Sequence, residues 1–207
     1  ISPLLVVREF AKAITHSLRR FAEALYLTHG DRIFFSPLHE LLRSAESRHV
    51  FLACSAFDDL IYSNKFGSRW EKFRNKAREV LENIRMGVSK HRNLLNMAGF
   101  ALLLHDIGKL VKEENHEITG ARIVNKITER LSFFPNERWI IYWLVRYHMR
   151  VHEAAHGDEE TIDWLKGNKN DAIVYALLLL AAADALGHPE EGEAEEILRR
   201  FLSLASH

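Results

Sequence analysis

The chain has 207 residues, of which 47% are hydrophobic and 27% charged, enough apolar material for one large domain or two small helical units. Lys+Arg and Asp+Glu each number 28, so no global basic excess points to nucleic acid or an anionic membrane surface. Cys54 is the single cysteine, which excludes an intrachain disulfide and a thiolate zinc cluster and suits a reducing, cytoplasmic setting.

Residues 1–9 lack the basic start and small-residue cleavage site of a signal peptide, and with Ile1 rather than Met at its start the chain reads as a piece of a longer protein. Apolar residues recur at three- and four-residue spacing nearly throughout, with no alternating β-branched runs between hairpin turns, so the expected fold is all-α. A first helix is predicted over about Leu4 to Leu27, closed by Gly30, and a short one from Ser36-Pro37 to Arg43. Further helices are predicted over Ser47 to Tyr62, Ser68 to Ile84 and His91 to Leu104, with Gly67 and Gly87 at the joins. After a turn at 105–109 the pattern resumes from His116 to Leu131 and from Glu137 to Met149, with Asn136 as the expected N-cap. Residues 151–170 are polar and glycine-broken. They read as a loop around a short helix near Glu159 to Leu165, a candidate lid whose His152 and His156 are expected to be ordinary exposed side chains. The apolar stretch Asp171 to Leu186 is shorter than the roughly twenty residues a membrane span needs and reads as a core helix. Pro189 then opens an amphipathic helix, Glu190 to Leu204.

The strongest local signal is Leu102-Leu103-Leu104-His105-Asp106-Ile107-Gly108-Lys109, where an apolar helix delivers an imidazole and a carboxylate just before a glycine turn. That mixed pair suits a divalent ion such as Mn²⁺, Fe²⁺, Co²⁺, Ni²⁺ or Zn²⁺, with Mg²⁺ also admitted, and disfavours an all-oxygen calcium site. Neighbours on a regular helix diverge by about 100°, so both can face one ion only if the helix ends or distorts there. Asp184, in Ala181-Ala182-Ala183-Asp184-Ala185, is a carboxylate in the most apolar helix and has to be paired, solvated at the helix end or ligating a cation. His116 and His148 stand where helices begin and end. Taken singly, a histidine beside an aspartate is more often a satisfied core pair and a helix-end histidine more often a cap. The case rests on the set, and on a content of 12 histidines that is roughly twice average usage.

In the order His105-Asp106-Ile107-Gly108-Lys109, His116-Glu117 with Gly120-Ala121, Val145-Arg146-Tyr147-His148 and Ala183-Asp184-Ala185, the sequence resembles the HD superfamily of metal-dependent phosphohydrolases over about Ser68 to Gly187. Within that superfamily it looks most like the HD region C-terminal to the head of bacterial tRNA nucleotidyltransferases and poly(A) polymerases. Upstream, Gly30-Asp31-Arg32-Ile33 and Leu38-His39-Glu40-Leu41-Leu42 resemble the helical segment joining head to HD domain. The resemblance implies an HD-domain helical bundle at 67–207, preceded by a small N-terminal helical segment at 1–66. It implies His105 and Asp106 as metal ligands, Asp184 closing the site, and His116 and His148 serving a second metal or the phosphate. Asp106 would bridge two ions, and Lys109 would contact the substrate phosphate or else be a solvated lysine.

The implied activity is hydrolysis of a phosphorylated small molecule, a nucleotide or cyclic phosphate. The competing reading is a non-catalytic RNA-binding or oligomerisation module with a degenerate site, whose partners would be tRNA or further copies of the chain. Nothing here supplies the paired aspartates and phosphate loop of nucleotidyl transfer. One departure stands out: the family takes an earlier histidine from the helix before the HD helix, where this chain has Lys72-Phe73. His91 precedes His105 by fourteen residues, about 21 Å along one helix, too far to share its ion. The expected site therefore lacks one ligand.

Overall fold

A computed structural model of the chain describes residues 17–27, 40–62, 92–168 and 172–188. Their regular structure is entirely helical: α1 (Leu18–Leu27), α2 (Ser47–Tyr62), α3 (Arg92–Leu104), a 3-10 turn (Ile107–Leu110), α4 (His116–Arg130), α5 (Pro135–Ala155), α6 (Glu159–Gly167) and α7 (Ala172–Gly187). The all-α expectation holds among the described residues, and no helix there is long and apolar enough to cross a membrane. The helices predicted over Ser68 to Ile84 and Glu190 to Leu204, and the Lys72-Phe73 position, lie outside the described residues, as does most of the first helix before Ser17.

α7 is apolar on every side and accordingly sits at the centre, with Val174, Leu177, Leu180 and the run Ala181-Ala182-Ala183 all buried. It packs against α2, α3 and α5, while α4 packs on α5 and on the 3-10 turn. The second half of α3, from Ala98 to Leu104, is buried throughout and ends inside the bundle, so the residues that follow it are delivered to the interior. Gly187 sets how closely α7 meets α2: a Cβ there would lie 2.7 Å from the backbone nitrogen of Ala53 and 2.9 Å from its Cα. Glycine is needed for this approach, and it brings the end of α7 against the first turns of α2.

Two boundaries differ from expectation. α5 starts at Pro135 with Phe134, not Asn136, in the capping position; Phe134 is extended (φ −63°, ψ 151°), and its N–H donates to the Glu137 carboxylate at 3.0 Å. Proline explains the shift, because it forces its predecessor out of the helical region while its own fixed φ and missing N–H fit the first helical position. α5 also continues to Ala155, so the segment expected as a loop begins as helix, with Val151, His152, Ala154 and Ala155 buried on the core stripe. The short helix within that segment, α6, is N-capped by Asp158, whose Oδ2 accepts from Thr161 N–H at 2.9 Å. A cavity of about 560 Å³ in this region is lined by Met149, His152, Glu153, His156 and Asp158.

Candidate metal centre

α3 stops at Leu104, and Asp106 adopts φ −93°, ψ 5° before the 3-10 turn. This break lets two consecutive side chains face the same interior point. The turn is pinned to α4 through Gly108, where a Cβ would collide with the His116 carbonyl and sit 2.7 Å from Gly120 N. Asn115, left-handed at φ 54°, precedes α4, and asparagine tolerates that region better than most residues. His116 is thereby placed with its Nε2 3.2 Å from Asp106 Oδ1.

Three histidines share one arrangement. The Nδ1 atoms of His105, His116 and His148 lie 2.6, 3.0 and 2.7 Å from the carbonyl oxygens of Leu102, Glu113 and Val145, each three residues earlier. A carbonyl oxygen only accepts, so each Nδ1 carries the proton, and in the neutral ring each Nε2 presents a lone pair. His116 Nε2 and His148 Nε2 are 3.2 Å apart. Two lone pairs facing each other at that distance call for a cation or a proton between them.

The structure brings His105, Asp106, His116, His148 and Asp184 together and adds residues the sequence reading did not assign. His49, in the first turn of α2, has its Nε2 3.3 Å from His105 Nε2, 3.7 Å from Asp106 Oδ2 and 2.8 Å from Asp184 Oδ1. The expected site lacked one ligand because Lys72-Phe73, outside the described residues, carries no histidine; His49, from the helix that packs against α7, is a candidate for that place. Its sequence signal was a histidine at the head of the buried stripe formed with Ala53 and Phe57 at four-residue intervals. His152, expected to be exposed, is 7% exposed, and its Nε2 lies 2.9 Å from Asp184 Oδ2. His188 stacks on His49 with ring centroids 4.1 Å apart, and its Nε2 is 3.6 Å from Asp184 Oδ1. Lys109 sits beside the cluster, with Nζ 2.9 Å from Asp106 Oδ2 and 3.4 Å from Glu46 Oε2.

Burial by itself would push both carboxylates toward neutrality and strip His105 of its proton. For Asp106, the charge and hydrogen bond of His105, with the His116 ring close by, win, holding the carboxyl far below its ordinary range. Asp184 is likewise held down, by the charge of His105 and the hydrogen bond from His152, with His49 close by. His105 in turn is raised well above its usual value by Asp106 and Asp184. Burial, assisted by the positive charge on His105, pushes His148 down to about 3. Two buried carboxylates thus face the His105 imidazolium and, at the edge of the cluster, the Lys109 ammonium.

Three sets of donor atoms, His49/Asp184/His188, His49/His105/Asp106 and Asp106/His116/His148, each lie within 4.8 Å of one another. A cation bound at about 2.1 Å in octahedral or tetrahedral geometry holds neighbouring ligand atoms about 3.0–3.4 Å apart. The spacings found, 2.8 to 3.7 Å, are of that size. Asp184 Oδ1 is buried without a properly aimed hydrogen-bond donor although His49 Nε2 is 2.8 Å away, as expected of two ligands of one ion. These residues fit a divalent metal, with the two oxygens of Asp106 facing the two donor sets that share it.

This all-helical bundle and its His-Asp cluster belong to the HD domain family, whose model matches residues 77–188. His49 lies upstream of the matched span. Among curated proteins, the chain is 36% identical over 92 residues to a bifunctional uridylyltransferase/uridylyl-removing enzyme of Cereibacter sphaeroides and 37% identical over 92 residues to one of Ruegeria pomeroyi. Each of those alignments covers 42% of this chain and 10% of the relative. A third such enzyme, of Bradyrhizobium diazoefficiens, is 30% identical over 91 residues, which are 42% of this chain and 9% of that protein. The chain therefore spans about a tenth of the curated relatives it matches. Those relatives transfer and remove uridylyl groups by name, and they do not single out the tRNA nucleotidyltransferases within the resemblance.

Proposed function

We propose that this chain is a divalent-metal-dependent phosphohydrolase acting on a phosphoester of a nucleotide, with a uridylyl-type phosphodiester as the favoured substrate class. The observation that supports it is the complete set of inward donors, His49, His105, Asp106 and Asp184 on one side and Asp106, His116 and His148 on the other. A bound divalent ion would supply Lewis-acid charge to a phosphoryl oxygen and make water a better nucleophile at neutral pH.

The chain's own residues do the rest. The Nδ1–H bonds of His105, His116 and His148 to backbone carbonyls hold their rings so that no reorientation is needed on binding. Lys109, already beside Asp106, adds a positive charge at the rim that can meet a phosphate oxygen. In the reaction a water oxygen bonds to phosphorus and the phosphorus–oxygen bond to the carrier breaks. The leaving oxygen takes one proton, and the products are a nucleoside monophosphate and a free hydroxyl. The names of the relatives support this class, since removing a uridylyl group breaks such a bond. A cytoplasmic setting and a nucleotide-bearing partner go with this reading.

The narrower relation to tRNA nucleotidyltransferases would instead make the chain an RNA-contacting or oligomerising module with a relic site. A cluster that keeps six inward ligand residues supports chemistry over that alternative. The test is hydrolysis of uridine 5′-(p-nitrophenyl phosphate) and of p-nitrophenyl phosphate with Mn²⁺, Co²⁺ or Ni²⁺ added. Metal-dependent release of p-nitrophenol from the diester, abolished in D106A, is expected. Activity that ignores both metal and the substitution would overturn the reading.

A further inference from the structure

We infer that His152 is a positioning residue for the metal centre, holding Asp184 so that only Oδ1 is offered to the ion. The inference rests on the metal-centre reading above. His148 and His152 stand one turn apart on the buried face of α5, and their rings are turned to opposite uses. His148 gives its Nδ1–H to the Val145 carbonyl and points a bare Nε2 at His116. His152 puts its Nε2 2.9 Å from Asp184 Oδ2; a carboxylate oxygen accepts, so this Nε2 is placed as the donor. It is a donor to the ligand and not itself a ligand.

The consequence for Asp184 is geometric. This carboxylate projects from a helix that is apolar on all sides, and the backbone offers it no donor of its own. With Oδ2 engaged by His152, Oδ1 is left facing His49 Nε2 at 2.8 Å and His105 Nε2 at 3.3 Å. Without that hydrogen bond the carboxylate is free to rotate about its Cβ–Cγ bond, presenting either oxygen or both. Partners of this kind on ligating groups are typically worth about 10- to 100-fold in metal affinity.

The decisive experiment uses the full chain and two readouts. In the Zn²⁺-loaded protein, long-range ¹H–¹⁵N spectra should show His152 as the Nε2–H tautomer while His105, His116 and His148 show Nδ1–H with a ligated Nε2. A His152 proton on Nδ1 with a bare Nε2 would overturn the inference whatever the variants do. For Mn²⁺ binding, H152A and H152M should raise Kd about 10- to 100-fold, and H152Q, whose amide nitrogen can reach the same oxygen, should recover most of the loss. The Co²⁺ absorption bands should shift in H152A and H152M and return in H152Q, a pattern that lost packing alone would not produce. Wild-type Kd in all three variants would sink the role of His152 while leaving the metal centre standing. A wild-type protein that retains no divalent ion would remove both.

Discussion

Replacing Gly187 by alanine probes the contact that lets α2 contribute to the centre. An added Cβ would lie 2.7 Å from Ala53 N, where ordinary contact begins near 3.4 Å, so the helices must part by about 0.7 Å. Backbone cannot yield as a flexible side chain can, and overpacking of this kind costs about 1–3 kcal/mol. Alanine's higher helix propensity returns at most about 1 kcal/mol. A net loss of about 0–3 kcal/mol, centred on about 1.5, follows, or roughly 3–6 °C in Tm at the centre for a chain of this size. His49 is one turn before Ala53 and Asp184 one turn before Gly187, so the same displacement opens the 2.8 Å approach of His49 to Asp184. Metal–ligand distances tolerate only about 0.2 Å, so metal affinity should fall about tenfold or more. Gly167 is the control, because a Cβ there meets nothing within 4 Å and G167A should be neutral or stabilising. Calorimetry of the metal-free proteins together with Mn²⁺ titration reads both effects. A G187A protein that matches wild type in Tm and in Mn²⁺ affinity would mean that the close approach at Ala53 does not hold His49 against Asp184.

Other consequences can be measured independently. D106N removes the negative charge between the two donor sets and should lower Mn²⁺ affinity by more than about 100-fold, a larger effect than removing a hydrogen-bonded partner of a ligand; equilibrium dialysis would show it. His105, raised by Asp106 and Asp184, is protonated at pH 7 without metal and must lose that proton to ligate, so titrations in buffers of different ionisation enthalpy should reveal close to one proton released per ion bound. His148 has the opposite sign. The unfolded chain takes up its proton near pH 6.5 and the folded chain only near 3, so stability is lost as pH falls through that window, by about 1.4 kcal/mol per unit. Metal-free H148Q should therefore show a shallower decline between pH 6.5 and 3 than wild type. If Lys109 meets the substrate phosphate, K109M should bind metal at least as tightly as wild type while hydrolysing the diester about tenfold more slowly, about 1.4 kcal/mol of lost transition-state stabilisation.

Much of the centre was legible in the sequence because its residues sit where local pattern and chemistry coincide. His105-Asp106 follows an unbroken apolar run and precedes a glycine, which already implied a helix that ends inside the core. Asp184 was conspicuous as the single charge in an apolar helix. α2, α3, α4 and α7 came within a residue of their predicted bounds, the first three because each carries a buried stripe and α7 because it is apolar on every side. His49 was missed for a physical reason: its role depends on α2 and α7 meeting at Ala53 and Gly187, a tertiary contact that no local period encodes. His152 was missed because the polar residues after Met149 suggested a loop, while the apolar face of α5 continues through Val151, Ala154 and Ala155. Asn136 lost the capping position to Phe134 because Pro135 fixes the first helical residue, so backbone restriction outranks side-chain preference.

Most direct of all would be an anomalous difference map from a crystal of the full chain equilibrated with Mn²⁺. One peak is expected among His49, His105, Asp106 and Asp184 and a second among Asp106, His116 and His148, about 3.5–4 Å apart with Asp106 between them. Manganese bound only elsewhere, or a map with no peak among these side chains, would contradict that metal centre.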